Sequence, residues 1–225
     1  MFAAQMTQLG ELGYNVVGLD VVIAHYRAGA ALPLRSVLLT FDDGYHDHLE
    51  YALPVLQAHG YPATVFVPTA YLDEPRPLPH ERRLVARGIV NRTLDWGELA
   101  ELVAEGVSIG SHGVSHRVLT ALEPDEAVRE IVESKARLEE RLGAPVQAFA
   151  YPKGAAGQFD GAHVSAVRAA GYDLAFTSVS GANGDSADPM ELVLAGWCDL
   201  IALKDTVRGT RSRQLLNTAL RTSSE

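Results

Sequence analysis

A single cysteine, Cys198, is present among the 225 residues. One thiol can form neither an internal disulfide nor a cysteine-based metal cluster. Beside Trp197 it reads as a packing residue, compatible with a reducing compartment without requiring one. Positive charge is also scarce: 19 Lys and Arg against 28 Asp and Glu give a formal charge of −9. Phosphate binding needs clustered basic side chains, so no nucleic-acid partner is expected. The densest basic run, "HERRLVAR" at 80–87, is short and reads as a solvated face. Long apolar runs are missing too. "NVVGLDVVIAHY" is broken by Asp20 and is too short to cross a bilayer, so no transmembrane segment is expected. "MFAAQMTQLGELGY" has neither the basic start nor the continuous apolar core of a secretory signal. Taken literally, the chain reads as cytoplasmic; an incomplete N-terminus would make it extracellular or envelope-associated.

With 47% apolar and 21% charged residues, the composition is that of a globular protein with a substantial core. The length suits one sizeable domain over 1–225. Seven short apolar or β-branched runs recur, at 14–19, 36–41, 63–67, 106–111, 147–151, 173–177 and 191–195. Helical patterns separate most of them. Leu49, Leu53 and Leu56 recur at helical spacing over 46–59. Asp95 and Glu98 form a capping-box pattern ahead of a helix over 95–105. Residues 124–142 open with proline, place acids early and bases late, and stop at Gly143. A further short helix at 160–170 ends at Gly171. Strand–helix alternation predicts an α/β fold with a parallel sheet, better matched by a barrel of about seven units than by an open sheet. Residues 68–94, rich in Pro and Arg, read as an inserted loop that could form a lid or a cleft wall. Residues 212–225 read as a polar tail.

Two short stretches carry chemistry. "VSIGSHGVSH" ends an apolar run in His112 and His116, four apart and able to aim at one point. Alone, the pair reads better as two solvated loop histidines and needs a third partner. "SVLLTFDDG" ends another run in Asp42 and Asp43, with Gly44 permitting a sharp turn. Adjacent acids at the end of a buried strand repel each other and lose hydration, penalties that a cation would relieve. One of them could instead simply cap the next helix. In a parallel α/β fold, however, the C-terminal ends of the strands share one face. One carboxylate and two imidazoles with an open fourth position make a catalytic zinc-type set, and other first-row divalent ions fit the same ligands.

With "TFDDG" and "SHGVSH" in this order, the sequence resembles the polysaccharide deacetylases, the NodB-homology domain of carbohydrate esterase family four. "HLEYALPVLQAHGYPATVFV" and "ESKARLEERLGAPVQAFAYPKG" extend the resemblance, which runs from about residue 2 to 209. It implies a distorted (β/α)7-type barrel and metal-assisted removal of acetyl groups from an acetylated carbohydrate. It also implies Asp43, His112 and His116 as ligands of one divalent ion, zinc first, and Asp42 as general base. Tyr151 and Lys153 of "AYPKG" are the implied substrate-binding residues, with a backbone N–H at Lys153 for the oxyanion.

The departures are specific. Ala150 stands where the family has an arginine in one branch, and Lys153 replaces the customary aromatic, facing either the pocket or solvent. No D-x-x-D-W pattern follows "AFTSVSG"; "GDSAD" at 184–188 is a turn or an acidic stand-in. "ELVLAGW" lacks the histidine that serves many members as general acid. His46, His48 or a protonated Asp42 could replace it, although both histidines read better as exposed first-turn residues. His25, His59, His80 and His163 receive no role. The family's usual first strand, with its Y-H-R-like stretch, is missing from the N-terminus, so a shortened domain is expected. A non-catalytic metal- and carbohydrate-binding relative and a metallohydrolase of another small amide are the alternatives.

Overall fold

The computed structural model describes residues 1–179, 181 and 183–193, and the backbone of 216–219. Cys198, Trp197 and the end of "ELVLAGW" lie outside the described residues. Among the described residues, eight strands form one sheet: β1 (Asn15–Val16), β2 (Ser36–Phe41), β3 (Thr64–Val67), β4 (Ser108–Ser111), β5 (Ala148–Ala150), β6 (Leu174–Thr177), β7 (Leu192–Val193) and β8 (Leu216–Ala219). The helices are α1 (Phe2–Glu11), α2 (Leu19–Ala28), α3 (Leu53–His59), α4 (Ala70–Asp73), α5 (Arg82–Val85), α6 (Trp96–Ala104), α7 (Pro124–Leu142) and α8 (Gly161–Ala169). Strands β1 to β7 pair in sequence order, every pair parallel. Same-handed crossovers without a reversal of strand order give a curled, barrel-like sheet rather than a doubly wound one. The expected (β/α)7-type arrangement is what forms. Within the segment read as a polar tail, β8 pairs with β2.

Burial on both sides of the strands explains why central runs such as β2 and β3 do not alternate between apolar and charged residues. Val37, Leu39, Phe41, Val65, Val67, Phe149 and Ala175 join one cluster with residues of α1, α3, α6, α7 and α8. Their neighbours Leu38, Phe66, Ala148, Ala150, Leu174 and Phe176 join the other, with Leu19, Val22 and Ile23 of α2. This period of two sets which side chains reach the inner side of the sheet. On that side Gly110 of β4 leaves room for a neighbour: a Cβ there would run into the Phe66 ring and lie 3.1 Å from the Ala148 carbonyl oxygen. Gly110→Ala is expected to destabilise the fold by about 1–3 kcal/mol through overpacking. A urea midpoint equal to the parent's would show that Phe66 can move aside.

The helix ends follow their capping residues. Asp95 accepts from the Glu98 N–H (2.9 Å), and the Glu98 carboxylate returns to the Asp95 N–H (3.0 Å). Helix α7 spans the predicted residues and ends at left-handed Gly143. The predicted helix over 46–59 is split into a π-turn at His48–Ala52 followed by α3. Pro54 has no N–H to give the preceding turn, which accounts for the break in the regular ladder. Residues 68–94 are more than a loop: α4, a 3₁₀ turn at Pro79–Glu81 and α5 lie within them. Leu78 buries against Tyr45 and Tyr71. The segment returns beside the Asp42–Asp43 turn, where Leu94 N–H bonds to Gly44 O (2.8 Å) and His46 N–H to Arg92 O (2.9 Å).

Candidate active site

Both histidines and both aspartates sit just beyond the C-terminal ends of strands. Phe41 faces the helix-side cluster, so alternation carries Asp42 to the inner side as β2 ends. The chain then turns through Asp43 and Gly44, both left-handed (φ 73° and 62°). Beyond β4, His112 follows Ser111, and the chain turns at Gly113 (φ 76°) before reaching left-handed His116 (φ 58°). Among the described non-glycine residues, Arg35, Asp43, His116 and Lys153 have positive φ. Three of these four belong to the predicted site. Each such backbone costs about 1–2 kcal/mol, so strain is concentrated where side chains must be aimed rather than packed.

The aim is convergent. Asp43 Oδ1 lies 2.8 Å from His116 Nε2 and 3.5 Å from His112 Nε2. The three potential ligand atoms all fall within 4.8 Å of one another. His112 Nδ1 meets the Ala150 carbonyl at 2.8 Å. A carbonyl only accepts, so Nδ1 carries a proton and Nε2 is the nitrogen facing Asp43, giving it a hydrogen bond when protonated and a ligand lone pair when not. That outer-sphere bond is the usual way a protein fixes the tautomer of a metal-binding histidine. The residues present therefore fit a divalent cation.

Electrostatics supports this fit. Burial penalises an ionised Asp43, but hydrogen bonds from His112 and His116 and the charges of both outweigh it, holding the carboxyl far below its usual range. Burial also opposes a charged His112; the Asp43 hydrogen bond, helped by the charges of Asp42 and Asp43, wins and raises it. At His116 burial prevails and lowers the imidazole to about 4, so it is neutral near pH 7. A carboxylate that stays ionised and an imidazole that resists charging suit a hard-to-borderline divalent ion.

Residues 30–175 match the sequence profile of the family described as "Polysaccharide deacetylase". The chain belongs to that family. It is similar to YxkH of Bacillus subtilis (strain 168), 28% identical over 181 residues, covering 80% of this chain and 58% of the relative. It is also 28% identical over 218 residues to the poly-β-1,6-N-acetyl-D-glucosamine N-deacetylase of Escherichia coli (strain K12), covering 84% of this chain and 32% of the relative. The chain thus spans little more than half of one curated relative's length and about a third of the other's. Among solved structures, IcaB from Ammonifex degensii superposes with a TM-score of 0.76 at 23% identity, covering 90% of this chain and 87% of that one. The Streptococcus pyogenes deacetylase PplD gives 0.73 at 23% identity, with coverages of 86% and 78%. At that identity the structural likeness speaks for the fold.

Around the three convergent side chains, the other deacetylase-motif residues take distinct places. Asp42 is half-buried at the end of β2, close enough to His112 for its charge to raise that imidazole. Lys153, left-handed (φ 65°), is near enough for its charge to work against protonation of His116. Tyr151 does not line a substrate wall with its side chain: it is 2% exposed, its hydroxyl donates to Met190 O (3.0 Å) and its ring stacks on Phe159. Strand alternation beyond Ala150 carries it to the helix-side cluster. "GDSAD" is a turn, with Asp188 paired to Arg168 (2.9 Å) and not part of the ligand group.

The histidines beside the turn are not exposed helix residues. His46 is half-buried, with Nδ1 3.1 Å from a Glu98 carboxylate oxygen. His48 is buried between Phe41 and Tyr45, and its Nδ1 has no hydrogen-bond partner among the described residues. Burial lowers it from 6.5 to about 4. The fold therefore resists a proton that the unfolded chain accepts, so stability falls as pH drops from about 6.5 toward 4. One such group contributes a slope of up to about 1.4 kcal/mol per pH unit in that window. His48→Leu is expected to flatten the stability–pH curve there by about one proton, read from urea unfolding at several pH values. An unchanged slope would show that His48 titrates normally.

One histidine reaches the site with no motif behind it. His80, from the 68–94 segment, places Nε2 3.5 Å from Asp43 Oδ2 and 3.1 Å from the Tyr45 hydroxyl, with its ring 5.5 Å from that of His116. Asp43 thus faces His112 and His116 with one oxygen and His80 with the other. The one signal in the sequence was position: a Pro-rich excursion leaving the C-terminal end of β3 starts on the face that holds the chemistry.

Proposed function

We propose that this chain is a metal-dependent hydrolase that removes acetyl groups from N-acetylated sugar units of a polysaccharide or glycoconjugate. The observation that carries the reading is the convergence of Asp43, His112 and His116 within 4.8 Å, with Asp42 preceding Asp43 just beyond the end of β2. Zinc is the ion we assign, because one carboxylate and two imidazoles leave the open position of a catalytic zinc site. Bound there, a divalent ion supplies Lewis acidity toward the acetamide carbonyl and acidifies water. Asp42 accepts the proton of the attacking water as general base and, once protonated, gives it to the sugar amine as the C–N bond breaks and acetate leaves. The main-chain N–H of Lys153 donates to the developing oxyanion, and the Lys153 ammonium adds positive charge on that side.

We place the sugar beside His80, a partly exposed side chain 3.5 Å from Asp43. His80→Ala is expected to lower kcat/KM about 10-fold or more while metal content stays at the parent's level. Unchanged kinetics would remove His80 from the substrate's path. The reading as a whole is tested by acetate release from N-acetylated oligomers of chitin, poly-β-1,6-N-acetylglucosamine and peptidoglycan, with and without added Zn²⁺. Zn²⁺-dependent release from at least one supports it; no release from any rejects it for these glycans.

A further inference from the structure

We propose that Glu130 is the positioning residue that shapes the turn between the two histidines, and that metal affinity depends on its hydrogen bonds rather than on its charge. Glu130 lies on α7, well outside the ligand group, and is 7% exposed. A buried carboxylate on an amphipathic helix needs partners, and this one finds all of them in the "HGVSH" turn. Its Oε2 accepts the Val114 N–H at 2.7 Å and the Ser115 N–H at 2.8 Å, while Oε1 accepts the Ser115 hydroxyl at 2.5 Å.

The turn is built to receive it. A Cβ on left-handed Gly113 would stand 3.1 Å from Glu130 Oε2, so glycine provides both the backbone angle and the room. The carbonyls of Gly113 and Val114 are taken by the N–H groups of Thr69 and Ala70, at 3.1 and 2.9 Å. Ser134, one helical turn beyond Glu130, bonds the Ser111 hydroxyl at 2.6 Å, and Gly113 N–H bonds that same hydroxyl at 3.3 Å. Helix α7 therefore grips the motif at two points four residues apart, one on each side of His112. With the turn clamped in this way, His116 is held in its left-handed conformation, which brings Nε2 to Asp43.

The test rests on the metal reading given above but is separable from it. Apo protein, prepared with a chelator, is titrated with Co²⁺ alone, and affinity is read from the Co²⁺ absorption. Glu130→Ala leaves two backbone N–H groups without their acceptor and is expected to weaken Co²⁺ binding about 10- to 100-fold, as loss of an outer-sphere partner does. It should also speed hydrogen exchange at Val114 and Ser115, a readout that needs no metal. Glu130→Gln keeps an oxygen for both N–H groups and an NH₂ for the Ser115 hydroxyl, and is expected to retain most of the affinity. Parent-like Co²⁺ binding by Glu130→Ala would overturn the proposal. So would a Glu130→Gln variant as weak as Glu130→Ala, which would assign the effect to charge. Should Glu130→Ala fail to fold, Ser115→Ala, which removes one bond alone, is expected to weaken Co²⁺ binding measurably, and an unchanged affinity overturns the proposal. A parent protein that binds no Co²⁺ would instead reject the metal site itself.

Discussion

Asp42→Asn is expected to lower acetate release by on the order of 10²–10⁴-fold while leaving metal content unchanged. Asparagine matches the carboxylate in size and retains an oxygen acceptor, yet it cannot take a proton near neutral pH. The half-buried position of Asp42 beside His112 should tolerate the amide sterically. Asp42 is outside the convergent ligand group, so binding of the ion and chemistry at the sugar should separate cleanly in this variant. Activity within about tenfold of the parent would reassign the base, and His80 would be the next side chain to examine.

The second large effect concerns the ligands. Asp43→Asn should abolish tight metal binding and, with it, activity, although Asp42 remains in place. The substitution removes the charge that sustains two short approaches to imidazole, at 2.8 and 3.5 Å. It leaves the left-handed backbone in place, which asparagine tolerates better than most residues. The fold should therefore survive: far-ultraviolet circular dichroism is expected to match the parent while bound Zn²⁺ falls to background. Retention of Zn²⁺ with a parent-like affinity would show that the histidines hold the ion without a carboxylate.

The different roles of these two aspartates were legible only through the resemblance carried by "TFDDG"; what aims Asp43 is the left-handed turn just beyond β2 (φ 73°). The strands themselves were legible directly. Ser36–Phe41 is buried throughout and its Val37–Leu39 core shows no polar alternation because both faces of the sheet are covered, and α7 announced its ends through Pro124 and Gly143. Local chemistry decides such features, and sequence displays local chemistry directly.

Other features depend on packing between distant segments. His80 belongs to no motif; it arrives at Asp43 because Leu78, two residues earlier, buries against Tyr45 and Tyr71. His48 read as exposed because a regular helix was assumed, whereas a π-turn precedes Pro54 and the imidazole is buried against Phe41. Glu130 looked like one more acid on a charged helix, and only its long-range bonds to Val114 and Ser115 mark it out. Tyr151 shows the opposite error: motif position implied a substrate contact, and strand parity turned the ring into the core.

The central claim is that Asp43, His112 and His116 hold a divalent ion. Its most direct test is the metal stoichiometry of the purified protein and of a His112→Ala, His116→Ala double variant, measured by elemental analysis after equilibration with Zn²⁺ and removal of excess. The account predicts about one ion per chain in the parent, in line with a single site of three protein ligands, and background levels in a folded double variant. A parent that retains no metal, or a double variant that retains as much as the parent, would contradict it.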